Sequence, residues 1–297
     1  MKKHLCLWLS ALICLSCLSG CTKAPQESKE GVSYKRVAVL FSSLAEVWQT
    51  AGGEVSMTVG ESVERGIVPD GTPLADDGAG KSVNLELLLA HEPDLVICSE
   101  DVPAQRALEP ILRDAGIAVR YFRIETYRDY LSVLTNMVAL TGNTDALTEA
   151  SRMTAAIDAL IEDSAVQGVR YLFVRAGALP SSVKAKTSDE HFVCSILNDL
   201  GCRNVADGAT ISSDALSIES IIAADPDYIF FSLMGSEQAA IENIKALLQD
   251  EPWCSLRAVR MDQVHILPKA LFHYKPNGRF YDAYRTLLDE LQEGETT

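Results

Sequence analysis

Positive charge is scarce in this sequence. Its 297 residues include 26 Lys and Arg against 41 Asp and Glu, a formal net charge of −15. Loss of Lys2 and Lys3 with a leader peptide would take the charge of the remaining chain to −17. Nucleic acids and anionic membrane surfaces attract proteins through Lys and Arg. The composition therefore argues against either as the main partner.

Zinc-binding cysteine patterns are also absent after residue 21. Of the eight Cys, four follow Cys21, namely Cys98, Cys194, Cys202 and Cys254. Their spacing includes no C-x-x-C pair, so it matches no zinc motif. In an oxidising compartment these cysteines could form one or two disulfides, and the sequence does not reveal which cysteines would pair. Cys98 lies in an apolar run and is expected to be a small buried hydrophobic residue.

One long hydrophobic run stands at the N-terminus. Leu5–Leu18 follows two lysines and is shorter than the roughly 20 apolar residues a bilayer needs, which is typical of a secretory signal. We expect this leader to cover residues 1–20. The LSGC sequence that ends at Cys21 resembles a bacterial lipobox, which implies cleavage before Cys21 and a lipid anchor on its sulfur. An ordinary signal peptide is the alternative. Residues 21–35 are mostly polar and form the expected tether.

From Arg36 onward, strand-like runs alternate with runs of helical spacing, which predicts an α/β fold with mainly parallel sheets. Strands are expected at Val37–Leu40, Leu95–Cys98, Ala118–Tyr121, Tyr171–Val174, Tyr228–Phe231 and Val264–Leu267. Helices are expected at Ala104–Ala115, Tyr127–Leu140, Phe192–Leu200, Glu237–Leu248 and Phe280–Gln292.

A long helical run divides the chain near its middle. Asp145–Ala165 contains no Gly or Pro and places apolar residues on one face, which predicts a helix about 30 Å long. Such a helix can join two lobes rigidly. We therefore expect lobes at residues 36–143 and 168–293, connected by a backbone helix at residues 144–167.

The two expected lobes share a repeated segment. Val83–Ser99 aligns without gaps on Leu216–Ser232, and each copy reads as a short helix, a Pro-Asp break and a buried strand. By itself this pattern indicates two similar lobes. Both copies also begin the helix with a glutamate, Glu86 and Glu219. The helix dipole favours a first-turn acid by about 0.3–1 kcal/mol, which is the structural alternative to a functional role.

Four segments resemble the periplasmic-binding family that serves ferric siderophores, haem and cobalamin. They are Arg36–Glu46, Asn84–Cys98, Ser217–Phe231 and Glu251–Pro268, the last similar to the family's Pro-Trp-x-x-Leu-x-Ala-Val stretch. The resemblance implies two lobes joined by one rigid helix. It also implies a monomeric, extracytoplasmic solute-binding protein, not an enzyme, that delivers its ligand to the permease dimer of an ABC importer.

The resemblance further implies a docking role for Glu86 and Glu219. In the family, one exposed glutamate at the start of the corresponding helix in each lobe docks onto arginines of the two permease subunits. A charge at each end of a two-lobed protein fixes its orientation and raises the rate of encounter.

The ligand pocket is expected where the parallel strands end, because ligands of α/β folds bind beyond the carboxyl ends of the strands. Basic residues in the following segments favour an anionic iron chelate or haem over a neutral corrinoid. His273 or Tyr274 could stack on a planar ligand or bind haem iron, and ordinary loop packing is the alternative. The candidate ligand-binding residues are Ser42, Ser43, Arg175, Lys184, Lys186, Met234, His273, Tyr274 and Lys275.

Three other functions have weaker patterns. Gly78–Ser82 resembles the end of a phosphate-binding loop, but Ala75 replaces the first glycine and no strand directly precedes it. The four histidines after the leader indicate a second alternative, a direct zinc or manganese receptor with the same two-lobe plan. No set of these histidines, however, is expected to converge on one ion. A chelatase-like enzyme on a similar fold is the third alternative, but the sequence contains no local signature of a nucleophile with its base. No cofactor is expected besides the transported ligand.

Overall fold

The computed structural model describes residues 34–76, 82–207 and 218–293. Outside the described residues lie the predicted leader at residues 1–20, the lipidation site Cys21, the tether up to residue 33 and most of Gly78–Ser82. Within the described ranges, no helix is both long enough and apolar enough to cross a membrane.

The N-terminal lobe is built on a small parallel sheet. In chain order its elements are β1 (Val37–Val39), α1 (Ser42–Thr50), α2 (Gly60–Glu64), α3 (Leu85–Ala90), β2 (Leu95–Ser99), α4 (Pro103–Arg106), α5 (Glu109–Asp114), β3 (Ala118–Phe122) and α6 (Tyr127–Thr141). The strands lie in the order β1-β2-β3, with Val37 opposite Leu95 and Leu95 opposite Ala118. β2 is buried along its whole length, as its apolar sequence predicts.

One long helix, α7 (Asp145–Glu162), follows this lobe. Its 18 residues span about 27 Å at a rise of 1.5 Å per residue. The apolar face is buried through Ala150, Met153, Ile157 and Leu160. A long helix is therefore present in the stretch where the sequence predicts one, and it ends at Glu162 with Asp163 as its C-cap.

The C-terminal lobe contains the remaining elements. They are β4 (Arg170–Ala176), β5 (Lys184–Ala185), α8 (Phe192–Asp199), β6 (Arg203–Asn204), α9 (Ile218–Ala224), β7 (Tyr228–Leu233), α10 (Glu237–Gln249), α11 (Glu251–Cys254), α12 (Arg257–Arg260), β8 (Val264–Ile266), α13 (Lys269–Phe272) and α14 (Phe280–Glu293). Short 3₁₀ turns occupy Pro180–Ser182 and Asn277–Arg279.

The C-terminal sheet is mainly parallel. β4 pairs in parallel with β6 and β7, and β7 pairs in parallel with β8, while β5 joins β4 in the antiparallel sense. The α/β class with mainly parallel sheets is thus confirmed. The sequence missed β5 and β6 because strands of two residues carry no periodic pattern.

One predicted helix is wrong in detail. The helix expected over Ala104–Ala115 is divided into α4 and α5, with the break at Ala107–Leu108. Pro110 explains the division, since proline has no N–H to donate to the Arg106 carbonyl and its ring would clash with that group in a continuous helix. In the structure Pro110 instead occupies the first turn of α5, where the missing N–H costs nothing.

The sequence repeat builds the same junction in both lobes. Glu92 and Asp225, which precede the Pro-Asp pair, have positive φ values of 48° and 41°. The aspartate that follows then accepts backbone N–H groups at the start of the neighbouring strand. The Asp94 carboxylate accepts the backbone N–H of Lys35 at 2.8 Å, and the Asp227 carboxylate accepts the backbone N–H of Arg170 at 3.0 Å. The repeated Pro-Asp therefore has a structural role.

A single hydrophobic core runs through both lobes and α7. It includes Leu134 of α6, Ile157 of α7, Phe173 of β4 and Leu287 of α14, all fully buried. Two smaller cores lie under the outer faces of the sheets. The lobes are therefore packed on a common interior rather than linked only by a helix.

Candidate functional site

A cleft of about 580 Å³ lies beyond the carboxyl ends of the parallel strands. Its size falls within the roughly 300–1,000 Å³ of small-molecule sites, and its position is the one that α/β folds use for ligands. The N-terminal lobe contributes Phe41, Ser43, Glu61, Asp101, Arg123 and Glu125. The C-terminal lobe contributes Arg175, Lys186, Asp189, Glu190, His191, Phe192, His273, Tyr274 and Lys275.

The cleft brings together six of the nine residues predicted to bind ligand. These six are Ser43, Arg175, Lys186, His273, Tyr274 and Lys275. The other three lie outside its lining. Ser42 is buried at the start of α1, Lys184 is exposed on β5, and Met234 is half-buried just after β7. All nine assignments remain predictions about ligand contact.

Sequence reasoning missed the acidic side chains of the cleft. Five carboxylates line it, namely Glu61, Asp101, Glu125, Asp189 and Glu190. A signal existed for Asp101, which lies in the segment after the predicted strand Leu95–Cys98 that is expected to line the pocket. The same signal existed for Glu125 and the neighbouring Arg123, which come shortly after the predicted strand Ala118–Tyr121. Glu61, Asp189 and Glu190 follow no strand directly, so no rule about strand ends could have found them.

Most of the cleft cations are paired with these carboxylates. Lys275 contacts Glu125 at 2.5 Å across the two lobes, and both side chains are largely buried. Arg123 lies 2.9 Å from Asp101, and Lys186 lies 3.5 Å from Glu190. The cleft is therefore mixed in charge rather than uniformly cationic.

Arg175 differs from these cations. It lies near the end of β4, and in the described part of the chain no carboxylate pairs with it. Its Nε is buried and has no hydrogen-bond partner. Burial lowers the pKa of Arg175, but a guanidinium remains charged at neutral pH. The side chain as a whole is half-buried and lines the cleft, so it offers a positive charge that an anionic ligand can neutralise.

His191 is fixed beside Arg175 by aromatic packing. Its ring lies between Phe173 and Phe192, with centroid distances of 4.6 Å to each. Its Nδ1 accepts the Val193 N–H and so caps α8. Burial, followed by the positive charge of Arg175, holds the pKa of His191 well below its usual range. The ring is therefore neutral.

A polar network from the N-terminal lobe supports Tyr274. The Arg65 guanidinium lies over the Tyr274 ring, 4.3 Å from its centroid. Arg65 is itself held by Ser42 at 2.9 Å and Glu46 at 2.8 Å. Ser42 also donates a hydrogen bond to Glu61. Ser42 thus acts on the cleft through its neighbours in this structure.

The two repeated glutamates are exposed on separate lobes. Glu86 lies in the first turn of α3 and Glu219 in the first turn of α9. Each glutamate has an exposed apolar neighbour in the same helix. The relative solvent exposure is 48% for Leu87 and 42% for Ile222. The geometry agrees equally with a helix-dipole role and with a docking role, because both need only an exposed first-turn acid.

The described residues form no disulfide and no cluster suited to a bare metal ion. Over the described ranges, no group of three or more His, Cys, Asp or Glu side chains is placed to hold a bare metal ion. The described cysteines, Cys98, Cys194, Cys202 and Cys254, are all free thiols, and the first three are buried. A direct zinc or manganese site thus has no support among the described residues.

A family model described as periplasmic binding protein matches residues 37–271. No curated protein sequence matches the chain. Solved structures share its fold at low identity. The vitamin B12 binding protein BtuF of Vibrio cholerae has a TM-score of 0.72 and 18% identity, with 89% of this chain and 99% of that chain covered.

Two haem-binding structures are also similar. The periplasmic haem-binding protein BhuT, solved with two haems, has a TM-score of 0.70 and 24% identity, covering 88% of this chain and 99% of that chain. Staphylococcus aureus IsdE in complex with haem has a TM-score of 0.67 and 13% identity, with 86% of this chain and 98% of that chain covered. At these identities the likeness establishes the fold.

Proposed function

Because the chain belongs to the periplasmic binding protein family, we propose that it is the substrate-binding protein of an ABC importer. In this role it captures a small metal chelate and delivers it to the permease. Two α/β lobes with a cleft of about 580 Å³ at their strand ends support this role. We further propose that the ligand is released unchanged, so that the protein is not a chelatase-like enzyme.

The proposed ligand is an anionic iron chelate or haem, with a corrinoid as the less favoured choice. The observation that carries this proposal is Arg175, whose buried Nε has no hydrogen-bond partner and whose guanidinium has no carboxylate partner among the described residues. An anionic group of the ligand would supply that partner through charge-assisted hydrogen bonds. Similar structures that bind haem or vitamin B12 support the choice of ligand classes.

The paired lysines limit how many negative charges the ligand can bring. The charges of Lys186 and Lys275 are already compensated by Glu190 and Glu125, so a ligand anion gains less from either lysine than from Arg175. Asp101 and Asp189 also face the cleft and would repel a ligand of high negative charge. These contacts favour a ligand with one or two anionic groups placed near Arg175.

Glu86 and Glu219 are proposed to dock onto the two permease subunits. Their exposure in matching helices of the two lobes supports this role. The LSGC sequence before Thr22 supports export and lipidation at Cys21, which would hold the protein at the outer face of the cell membrane.

Native mass spectrometry and an absorbance spectrum of the protein purified from its host test the proposed function. We expect one chelate per chain, with haem, ferric siderophore and corrinoid distinguished by their absorbance. Titration with the identified ligand should show saturable one-to-one binding with no product formed. Turnover would instead identify an enzyme, and a bare metal ion without an organic chelate would identify a direct metal receptor.

A further inference from the structure

Two polar contacts cross the cleft from one lobe to the other. Both start from the short segment between β3 and α6. The Glu125 carboxylate pairs with Lys275 of the C-terminal lobe at 2.5 Å, and the Arg123 guanidinium donates to the Asp189 carbonyl oxygen at 3.5 Å. All four residues line the cleft. The contacts therefore join the two walls of the space in which a ligand would lie.

These contacts lie at different depths. Arg123 keeps 48% of its side chain exposed, whereas Glu125 and Lys275 keep 17% each. The Arg123 contact thus faces the solvent, and the Lys275 contact lies deeper. Another contact between the lobes, from the Asn277 amide to the Ser43 carbonyl, is buried. An opening motion would break the exposed contacts before the buried one, because water can replace the partners of exposed groups.

Each side of the cleft holds its contact groups in place. In the N-terminal lobe, the Asp129 carboxylate of the α6 capping box accepts the Glu125 N–H at 3.0 Å. In the C-terminal lobe, the Thr187 N–H donates to the Glu190 carboxylate at 2.9 Å, and the turn between these residues presents the Asp189 carbonyl. Little backbone freedom is lost when the lobes meet, so the contacts form at a small cost in entropy.

The contacts leave room for a ligand. The cleft measures about 580 Å³ while both of them are formed. A small molecule can therefore be enclosed behind them, and its entry or exit would require them to open. Because α7 and the core shared by the lobes resist bending, these side-chain contacts rather than a wide hinge motion would control passage.

We propose that Arg123 and Glu125 form a latch that controls how fast the ligand enters and leaves the cleft. The latch consists of the Arg123–Asp189 and Glu125–Lys275 contacts. It slows both steps, so it retains a captured ligand without adding to the affinity. Slow loss benefits a receptor that carries its ligand to a permease. The effect on ligand exchange rests on the proposed function, whereas the latch itself is a property of the ligand-free protein.

Stopped-flow binding of ferric protoporphyrin tests the latch. We expect Arg123→Gln and Glu125→Gln each to raise the association and dissociation rate constants about two- to tenfold, and to leave Kd within about threefold of wild type. The two substitutions change the charge in opposite directions. A purely electrostatic effect on this anionic probe would speed association in Glu125→Gln and slow it in Arg123→Gln. Rates that move in opposite directions, or that stay unchanged in both variants, would overturn the proposal.

Two control variants separate the latch from charge alone. Arg120→Gln removes a guanidinium from an exposed position on β3, where it donates to the Val119 carbonyl of the same strand, and should bind like the wild type. Asp189→Asn removes a cleft carboxylate but keeps the backbone carbonyl that Arg123 contacts. Its rates therefore report the effect of charge. Acceleration in Asp189→Asn as large as in Glu125→Gln would contradict the latch.

Amide hydrogen exchange of the ligand-free protein tests the latch without any probe. We expect faster exchange over residues 123–129 and 187–190 in Arg123→Gln and Glu125→Gln, but not in Arg120→Gln, while exchange in α7 stays at the wild-type rate. Unchanged exchange in both segments would overturn the latch and leave the proposed function standing. If the wild type bound none of ferric protoporphyrin, a ferric siderophore and vitamin B12, the proposed function would fail, and the exchange result would still decide on the latch.

Discussion

Arg175 is the side chain on which the affinity for an anionic ligand should depend most. We predict that Arg175→Ala weakens binding of the native chelate about ten- to hundredfold, because a charge-assisted hydrogen bond contributes roughly 1.5–3 kcal/mol. Isothermal titration calorimetry measures the change. Arg152→Ala, which removes an exposed guanidinium on α7, is the matched control and should bind like the wild type. An unchanged affinity of the Arg175 variant would exclude the anionic-ligand argument.

At the scale of single residues, the sequence could place side chains near the cleft but could not pair their charges. Arg175 could be found because it directly follows the predicted strand Tyr171–Val174. Lys275 could be found because it lies in the segment after the last predicted strand. The partner of Lys275 is Glu125, 150 positions earlier in the chain. Only the packing of the lobes brings these two residues together. The expected cationic cleft is therefore mixed in charge, and Arg175 is left without a carboxylate partner among the residues that the structure describes.

At the scale of elements, a buried hydrogen bond joins α8 to α14. The Tyr284 hydroxyl donates to the Asp199 carboxylate at 2.5 Å. Burial raises the pKa of Asp199 above its ordinary value of 3.8, although Tyr284 and Arg128 act to lower it. The native state thus holds the Asp199 proton more tightly than the unfolded chain does. Because of this, the free energy of unfolding contains a contribution that falls as the pH rises from 3.8 through the folded pKa.

We predict that Asp199→Asn removes this contribution while keeping an acceptor for Tyr284. The unfolding free energy of the variant at pH 7 should equal or exceed that of the wild type, and its dependence on pH above 3.8 should be weaker. Urea unfolding at a series of pH values measures both. Tyr284→Phe, which deletes the donor that lowers the pKa, should steepen the dependence. Superimposable pH profiles for wild type and Asp199→Asn would contradict the prediction.

Strands and long helices were predictable because each has a local cause. All six predicted strands are present, since each is an apolar run between helix-ending or turn residues. The capping box at Thr126 and Asp129 and the left-handed Gly142 fix both ends of α6, the helix predicted there. Short elements such as α2, α13 and β5 were not predicted, because tertiary contacts rather than local pattern stabilise them.

At the scale of the whole molecule, the proposed docking role of Glu86 and Glu219 needs both lobes to contact the permease. We predict that charge reversal at both Glu86 and Glu219 abolishes uptake of the ligand while its affinity stays within about twofold of wild type, because rim charges act mainly on association. Uptake of labelled ligand by cells and titration of the purified protein give the two quantities. Reversal at Glu149 and Glu162 of α7 changes the net charge equally and serves as the control. Normal uptake by the double variant would exclude docking through these residues.

The connecting helix should also limit how far the lobes move. α7 has no internal Gly or Pro, and Lys275–Glu125 and the 2.9 Å bond from Asn277 to the Ser43 carbonyl tie the lobes together. We predict a rotation of only a few degrees on ligand binding, measured by small-angle scattering with and without ligand. Ala156→Pro, which kinks α7, should enlarge the difference, whereas Ala156→Gly should not. A large contraction of the wild type on binding would contradict this expectation.

The common core has a consequence for the resistance of the protein to proteases. Tyr127 of α6 and Tyr284 of α14 meet edge to face at 5.5 Å, and Ile157 of α7 belongs to the same buried cluster. If either lobe opened, it would expose the apolar surface on which the other one rests, so forms with a single native lobe are disfavoured. Proteases cleave chains that have opened locally. Without ligand, the two lobes therefore protect each other from proteolysis through the core that they share.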